Sequence, residues 1–191
     1  MEHAEGRAAG QTTSDAGMVW FIGAGPGDPE LITVKGRRLI EQADLVIYAG
    51  SLVPREIVAC AKDGARVEDS ASITLEQTHA LMRDAALGGG LVARVHTGDP
   101  LLYGAAREQM ALLEADGIPC AVVPGISAAF AAAAAAKASF TVPETVQSLA
   151  VTRLDGRTPV PPGQSVSEYA RHGGSLAVYL SARDPDVLQE E

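Results

Sequence analysis

Short apolar runs recur along the first part of this chain, and each run stops at Gly, Pro, Asp or Ser. Runs of this kind with such terminators predict buried β-strands. The predicted strands are the run that begins at Val19, Asp44–Tyr48, Leu91–His96 and Cys120–Val123, with a briefer strand at Ala65–Glu68.

Amphipathic stretches between these runs predict helices whose starts are marked by N-capping residues. Thr74 and Gln77, for example, form a capping box. Asp99 followed by Pro100 is interpreted in the same way, as the N-cap and first turn of a helix. The predicted helices are 34–42 after the cap Thr33, 54–61, 75–87, and 100–115.

The pattern changes after Gly125, where we place a domain boundary. Residues 18–125 are expected to form an N-terminal α/β domain, preceded by a disordered leader, 1–17. In 126–191 only two further strands are predicted, and two strands cannot cover both faces of an α/β layer, so the second domain is expected to be partial. The elements predicted there are helices at Ser127–Lys137, Val166–Arg171 and from Asp184 onward, and strands at Gln147–Thr152 and Ser175–Leu180.

Strands that alternate with helices predict an α/β fold with a mainly parallel first sheet. In such sheets, ligands bind in the crevice outside the carboxyl ends of the strands. The tripeptide Gly-Asp-Pro follows two of the predicted strands, at 27–29 and at 98–100. We therefore expect the loops after the strands to form one site together.

Charge and cysteine content narrow the range of partners. The chain has 15 basic and 24 acidic residues, and its formal net charge of −9 disfavours nonspecific binding to nucleic acid or to anionic membranes. No apolar stretch is long enough to cross a bilayer. Cys60 and Cys120 have no neighbouring ligand residues, so buried thiols in a reducing cytoplasm are expected rather than a disulfide or a zinc site.

A dinucleotide-binding fold competes for the first glycine loop, because Gly23 and Gly25 match the start of its fingerprint. Asp28 stands where that fingerprint has a third glycine, and its carboxylate would repel phosphate. Pro29 also removes an amide donor, and no Gly-Lys-Ser or Gly-Lys-Thr of a P-loop follows the glycines. These loops favour a ligand without phosphates.

Five segments, taken together in their order and spacing, resemble the tetrapyrrole (class III) methyltransferase family. They are GAGPGDPELITVKG, YAGSLVP, HTGDPLLYGAAREQ, VVPGISAAFAAAAAA and TRLDGRTPVP, and the resemblance runs from about Val19 to the end of the chain. The runs HTGDPLLYG and TRLDGRTPVP point to the branch that acts on corrinoid precursors. Members of this family continue beyond the position equivalent to Glu191, so the chain is expected to be shorter than they are.

The resemblance implies S-adenosylmethionine bound in a cleft between two α/β domains. It also implies transfer of the methyl group to a carbon of a reduced, carboxylate-bearing corrinoid precursor, by a homodimer and without a metal. By motif match, the implied cofactor contacts are Pro26, Thr97, Gly98, Asp99, Leu102, Ser127, Ala128 and Leu180.

Candidate substrate contacts follow from position in the chain. Ser51 and Tyr103 lie beside the expected site, and their alternative roles are turn formation and helix packing. Arg153 and Arg157 are cations suited to a polycarboxylate substrate, although both are equally typical of solvated positions. His96, at the end of its strand, is interpreted as a satisfied structural histidine.

No general base is assigned. In the uroporphyrinogen-methylating relatives an aspartate follows the tyrosine of the second strand, and here Ala49 follows Tyr48. Two alternative functions stay open at this point. One is methylation of another tetrapyrrole, and the other is a module that binds a nucleotide or cofactor without catalysing a reaction.

Overall fold

The computed structural model describes residues 17–156, 158–183 and 185–191 of the chain. It divides into two compact units, one that ends at Ala128 and one that comprises Ala129–Glu191. The leader predicted to be disordered lies outside the described residues except for Gly17, and Arg157 and Asp184 also lie outside them. No helix in the described ranges is long and apolar enough to cross a membrane.

The first unit is built on a five-stranded sheet in which every pairing is parallel, as predicted. Its spatial order is β3-β2-β4-β1-β5, so the first strand lies between the last two of this unit. In the register, Val19 of β1 lies opposite Val92 of β4 and Cys120 of β5. The strands are β1 Val19–Gly23, β2 Leu45–Tyr48, β3 Arg66–Asp69, β4 Val92–His96 and β5 Cys120–Val123.

Two pairs of helices cover the two faces of this sheet. The helices are α1 Val34–Gln42, α2 Arg55–Val58, α3 Leu75–Leu87 and α4 Ala106–Ala115. The side chains of α1 and α2 share one core cluster with Ile22, Val46 and Val95. Those of α3 and α4 share the other cluster with Phe21 and Ile47. Successive residues of β1 and β2 thus enter opposite cores, as the alternation of side chains along a strand requires.

Two helix starts have the capping residues that the sequence predicted. The Thr33 side chain accepts a hydrogen bond from Gly36 N at 3.1 Å, and α1 follows directly. At the start of α3, Thr74 Oγ1 accepts from Gln77 N at 3.2 Å and Gln77 Oε1 accepts from Thr74 N at 2.8 Å. This is the predicted capping box, and it satisfies two helix-end donors reciprocally.

The prediction that Asp99 caps a helix through Ala115 is wrong at its start. The helix α4 begins at Ala106, its N-cap is Ala105, and no side chain caps it. The Asp99 carboxylate instead accepts backbone hydrogen bonds within the loop and from the next strand's loop. In addition, Tyr103 has φ 53°, which a right-handed helix cannot contain.

The second unit holds a small parallel sheet of two strands, with Leu149 opposite Ser175 at one end of the register. The predicted strands and helices are all present there, with ends displaced slightly. A second capping box joins Ser165 and Glu168. The elements are α5 Ala128–Ala136, which begins at the last residue of the first unit, β6 Leu149–Arg153, α6 Val166–Ala170, β7 Ser175–Tyr179 and α7 Pro185–Glu190.

Candidate functional site

The chain connections change direction between β1 and β4. The strand β1 leads through α1 to β2 on one face of the sheet, whereas β4 leads through α4 to β5 on the other. Because β1 and β4 are neighbours, the loops at their carboxyl ends leave in opposite directions. This is the topological switch point at which open α/β sheets bind ligands.

Backbone hydrogen bonds join the two loops at this point. Gly25 N donates to Gly98 O at 3.2 Å, and Gly98 N donates to Gly25 O at 2.8 Å. One residue closer to the strand, Ala24 N donates to His96 O at 2.7 Å. Gly25 has φ 77° and Gly98 has φ 59°, conformations that favour glycine. The sequence predicted that the loops would share a site, and their backbones are in direct contact.

The loop after β5 joins the same junction. A β-carbon added at Gly23 would lie 2.6 Å from Gly98 O, and one added at Gly125 would collide with the same oxygen. Only glycine therefore permits three strand ends to approach this closely. The junction is a surface of backbone atoms at the carboxyl edge of β4, β1 and β5.

Asp99 fixes the junction through both carboxylate oxygens. Oδ1 accepts from Leu101 N at 2.9 Å, and Oδ2 accepts from Gly125 N at 3.0 Å. A related arrangement occurs at Asp69, where one oxygen, Oδ1, accepts both from Ala71 N at 2.9 Å and from Gly50 N at 2.8 Å. These backbone hydrogen bonds lower the pKa of Asp69. Asp69 thus links the end of β3 to the loop after its neighbour β2, and Asp99 links the loop after β4 to the loop after β5, on the other side of β1.

The loop between β4 and α4 carries backbone strain. Tyr103 is a non-glycine residue in the left-handed region, and its side chain is exposed. A β-carbon at the following residue, Gly104, would lie 2.6 Å from Pro100 O. Strain of this kind clusters at ligand-binding segments and is maintained by the surrounding packing. Of the other sequence-predicted contacts in this loop, Thr97 is exposed and Leu102 is half-buried.

The remaining predicted contacts of the first unit lie close to the junction in sequence. Pro26 is half-buried next to Gly25, and Ser51 is exposed in the loop after β2. Ser127 is buried, and its Cα would be 4.0 Å from a β-carbon at Gly98. Ala128 is exposed at the start of α5. The structure therefore brings the first-unit cofactor contacts to one edge of the sheet, whereas their roles stay predictions.

Two predicted contacts of the second unit are described. Leu180 directly follows β7, has φ 58° and is 76% exposed, which is an unusual combination for a large apolar residue. Arg153 donates from Nη1 to Leu154 O at 3.1 Å and from Nη2 to Thr158 O at 2.7 Å. The other predicted contact of this segment, Arg157, lies outside the described residues.

His96 differs from its prediction. Burial, together with the nearby positive charge of Arg94, lowers the pKa of His96 to about 3, so the imidazole is neutral at neutral pH. Its ring lies against Phe21, with 5.8 Å between ring centroids. However, Nε2 is buried and has no hydrogen-bond partner within the described residues. The imidazole is buried, as a structural histidine would be, but the prediction that its hydrogen bonds are satisfied is wrong.

Sequence reasoning missed Arg94. Its side chain is 7% exposed, and it donates hydrogen bonds to residues of β2 and α4 and to Ser70. The signal was present in the sequence, since Arg94 and His96 are two polar residues on the same face of an otherwise apolar strand. Polar residues spaced in this way indicate a buried polar network rather than a solvent-facing edge.

The chemistry available at the junction is that of backbone atoms. Groups of three or more His, Cys, Asp or Glu side chains able to hold a metal are absent from the described part of the chain. Glycines, prolines and a carboxylate shape the loops, and the backbone at Gly27 is open, with no atom nearer than 3.9 Å to a β-carbon placed there. Such an edge suits a small ligand with little net charge.

Comparison with known proteins identifies the family. The model of the tetrapyrrole (corrin/porphyrin) methylases matches residues 18–191. The cobalt-precorrin-4 C(11)-methyltransferase of Priestia megaterium is 49% identical over 86% of this chain. The precorrin-4 C(11)-methyltransferase of Pseudomonas aeruginosa is 47% identical over 91% of it. This chain spans 64% of the length of the first relative and 69% of the second.

Solved structures agree with this result. The crystal structure of a cobalt precorrin-4 methyltransferase superposes with a TM-score of 0.88 at 45% identity, over 91% of this chain and 73% of that one. A uroporphyrin-III C-methyltransferase from Thermus thermophilus, complexed with S-adenosylhomocysteine, gives a TM-score of 0.66 at 27% identity, over 91% and 72%. The family and the α/β fold predicted from the sequence are both confirmed. The chain belongs to the tetrapyrrole methylase family.

Proposed function

We propose that this chain is an S-adenosylmethionine-dependent C-methyltransferase that methylates carbon 11 of precorrin-4, or of cobalt-precorrin-4, in cobalamin biosynthesis. Relatives that are 43–49% identical carry this name. The structural observation that supports it best is the backbone junction of Gly25 with Gly98, fixed by Asp99. We further propose that the protein acts in the cytoplasm as a homodimer.

The junction fits S-adenosylmethionine in shape and charge. Gly23 and Gly125 let the loops pack directly on one another, whereas Gly27 and Gly98 leave open space beside the backbone, against which an adenosine or methionine group can pack. The proposed contacts are those implied by the family motifs, namely Pro26, Thr97, Gly98, Asp99, Leu102, Ser127, Ala128 and Leu180. Among them, Asp99 acts mainly by holding two loops in place, because each of its carboxylate oxygens accepts a backbone N–H.

Within this proposal, the chain acts by positioning. When bound, the cofactor supplies a methyl group on a positively charged sulfonium, and transfer of that group to carbon leaves a neutral thioether. Rigid loops that hold the two reactants in line and exclude water contribute most to such a reaction. Because Ala49 follows Tyr48, we assign no side chain of this loop to proton removal. Proposed substrate contacts are Ser51, Tyr103, Arg153 and Arg157.

Calorimetric titration with S-adenosylhomocysteine, run beside NADH, tests the proposal. Binding of S-adenosylhomocysteine alone is expected, and preference for NADH would contradict the proposal in favour of a dinucleotide-binding protein. Methyl transfer to precorrin-4 is then measured by mass spectrometry of the product. Cofactor binding without transfer would favour a non-catalytic binding module, and transfer only to another tetrapyrrole would revise the substrate.

A pair of glycine variants locates the binding surface. Gly98 and Gly64 both have positive φ, at 59° and 82°, so alanine strains the backbone at either position. Gly64 has no atom within 4 Å of the added β-carbon, whereas Gly98 lies at the junction. We expect Gly98→Ala to weaken S-adenosylhomocysteine binding and Gly64→Ala to leave it unchanged. Equal effects would place the cofactor elsewhere.

A further inference from the structure

Arg94 is a buried cation held by neutral groups. Its Nε donates to Gln109 Oε1 at 3.0 Å, and its Nη1 donates to Ser70 Oγ at 3.0 Å and to Ile47 O at 3.4 Å. Ser70 Oγ in turn donates to Tyr48 O at 3.1 Å. The guanidinium is thus fixed by residues of α4 and β2 and by the residue that follows β3.

The charge of Arg94 has no counterion in the described part of the chain. None of the ion pairs found there includes it. Burial lowers its pKa to about 10, and no acidic group of the described residues opposes that effect. Arg94 therefore stays protonated at neutral pH. An unpaired buried charge is costly, and an anion that reached it would relieve the cost.

The second terminal nitrogen of Arg94 is available to such an anion. Nη2 donates no hydrogen bond to a described residue. Nη2 is not sealed from solvent, and in this it differs from the buried, unpartnered Nε2 of His96. Ser70 and Ile47, which hold Nη1, lie at the carboxyl ends of β3 and β2. Nη1 is thus held towards the carboxyl edge of the sheet, the edge that also carries the glycine junction, on its β2–β3 side.

We propose that Arg94 binds a carboxylate of the tetrapyrrole substrate through its free Nη2 N–H groups. This inference rests on the proposed function, whose substrate carries carboxylates. A planar guanidinium forms strong, directed hydrogen bonds to a carboxylate, and its fixed geometry reduces the entropy lost on binding. The recessed cation also explains how a chain of net charge −9 accepts a polyanion. It attracts one acidic group locally, at the edge where the loops converge.

Two probes and three variants test this site. Binding of uroporphyrin, a stable polycarboxylate tetrapyrrole, is followed by fluorescence, and binding of S-adenosylhomocysteine by calorimetry. Arg94→Met removes the charge, and Arg94→Lys keeps the charge without the fork of donors. Arg83→Met is the matched control, because it removes the same charge from an exposed pair with Asp84.

We expect Arg94→Met to weaken uroporphyrin binding by about ten- to a hundredfold, the loss typical of one charged hydrogen-bonded contact. Arg94→Lys should weaken it less, and Arg83→Met should leave it unchanged. S-adenosylhomocysteine affinity should stay the same in all three. If thermal melting shows that Arg94→Met is unfolded, Arg94→Lys decides, and wild-type uroporphyrin affinity in that variant would overturn the inference.

The other outcomes also distinguish the source of the carboxylate. Weaker S-adenosylhomocysteine binding with unchanged uroporphyrin binding would assign the contact to the cofactor and overturn the inference. Equal effects of Arg94→Met and Arg83→Met would reduce the contact to general electrostatics and would also overturn it. If the wild-type chain binds S-adenosylhomocysteine but not uroporphyrin, the carboxylate site is refuted while the cofactor part of the proposed function survives. If it binds neither probe, the proposed function is contradicted, and the inference that rests on it is contradicted as well.

Discussion

One aspartate, Asp99, joins two loops that are distant in sequence. The sequence predicted that this carboxylate would accept a backbone N–H as a helix N-cap, and it does accept one from Leu101 N, but in a turn and not at a helix start. It could not indicate that Gly125 is one of the donors. That partner depends on β4 and β5 lying on either side of β1, which is a property of the whole sheet. Local chemistry was predictable, and the identity of the distant partner was not.

Asp99→Asn tests this link. An amide has one oxygen that accepts, so one of the two backbone N–H groups loses its partner. Loss of a hydrogen bond to a charged group costs about 1.5–3 kcal/mol of stability. In a protein of this size, each kcal/mol lowers the melting temperature by about 2–4 °C. We expect a fall of several degrees in thermal melting, with weaker S-adenosylhomocysteine binding.

Asp28→Asn is the matched control in the other Gly-Asp-Pro segment. Among the described residues, Asp28 Oδ1 accepts only from Glu30 N, two residues along the chain. One oxygen is enough to keep that bond, so a smaller change in melting temperature is expected. An equal change in the two variants would mean that the contact with Gly125 contributes nothing.

At the scale of elements, capping residues and hydrophobic spacing located most helices and strands. The exception is the start of α4. Asp99 and Pro100 predicted a helix start, but a loop follows them and the helix begins at Ala106. The sequence signal was ambiguous, because Asp-Pro is common both at helix starts and in turns. Gly104, with Pro100 O close behind it, favours the turn, since a β-carbon there would not fit. The packing of this loop on itself therefore favours the turn over the helix start, although the local sequence is compatible with both.

Thr74→Ala measures how much a cap contributes to α3. The substitution removes the acceptor for Gln77 N. Loss of such a cap typically costs about 1 kcal/mol, which corresponds to a fall of about 2–4 °C in melting temperature for this size of protein. Thr74→Ser keeps the hydroxyl and should melt close to the wild type. If both variants melt alike, the hydroxyl is not what stabilises the helix.

At the scale of the whole molecule, the strand order could not be predicted from the sequence pattern. Alternating elements predicted a parallel sheet, but many orders satisfy that pattern. The observed order places Arg94 between partners from β2 and α4, so a network that looks scattered in the sequence is compact in space. The part of the candidate site made by one loop was therefore predictable. The part made by three strands together was not.

The buried imidazole of His96 makes the stability of the molecule depend on pH. An unfolded histidine has a pKa of about 6.5, whereas in the folded protein the pKa is lowered to about 3. Between these values the unfolded chain binds a proton that the folded chain does not. Stability therefore decreases as the pH falls below about 6.5, by about 2 kcal/mol between pH 7 and pH 5.

Urea unfolding at pH 7, 6 and 5 measures this effect. The glutamine of His96→Gln does not titrate. In this variant, the part of the decrease in stability at acid pH that comes from the imidazole should disappear. Substitution of the exposed His172 by glutamine should leave the pH dependence unchanged. An identical pH dependence in wild type and His96→Gln would show that the imidazole is not held neutral by the fold.

The central position of β1 also sets a constraint on synthesis. This strand is made first, yet both of its partners, β4 and β5, come far later in the chain. At about 5–20 residues per second, the ribosome takes several seconds to produce even the nearer partner. During that time an apolar segment, Val19–Ile22, has no strand to pair with and presents its backbone donors and acceptors to other nascent chains. The first strand is therefore the segment of this sheet that waits longest for its partners during translation.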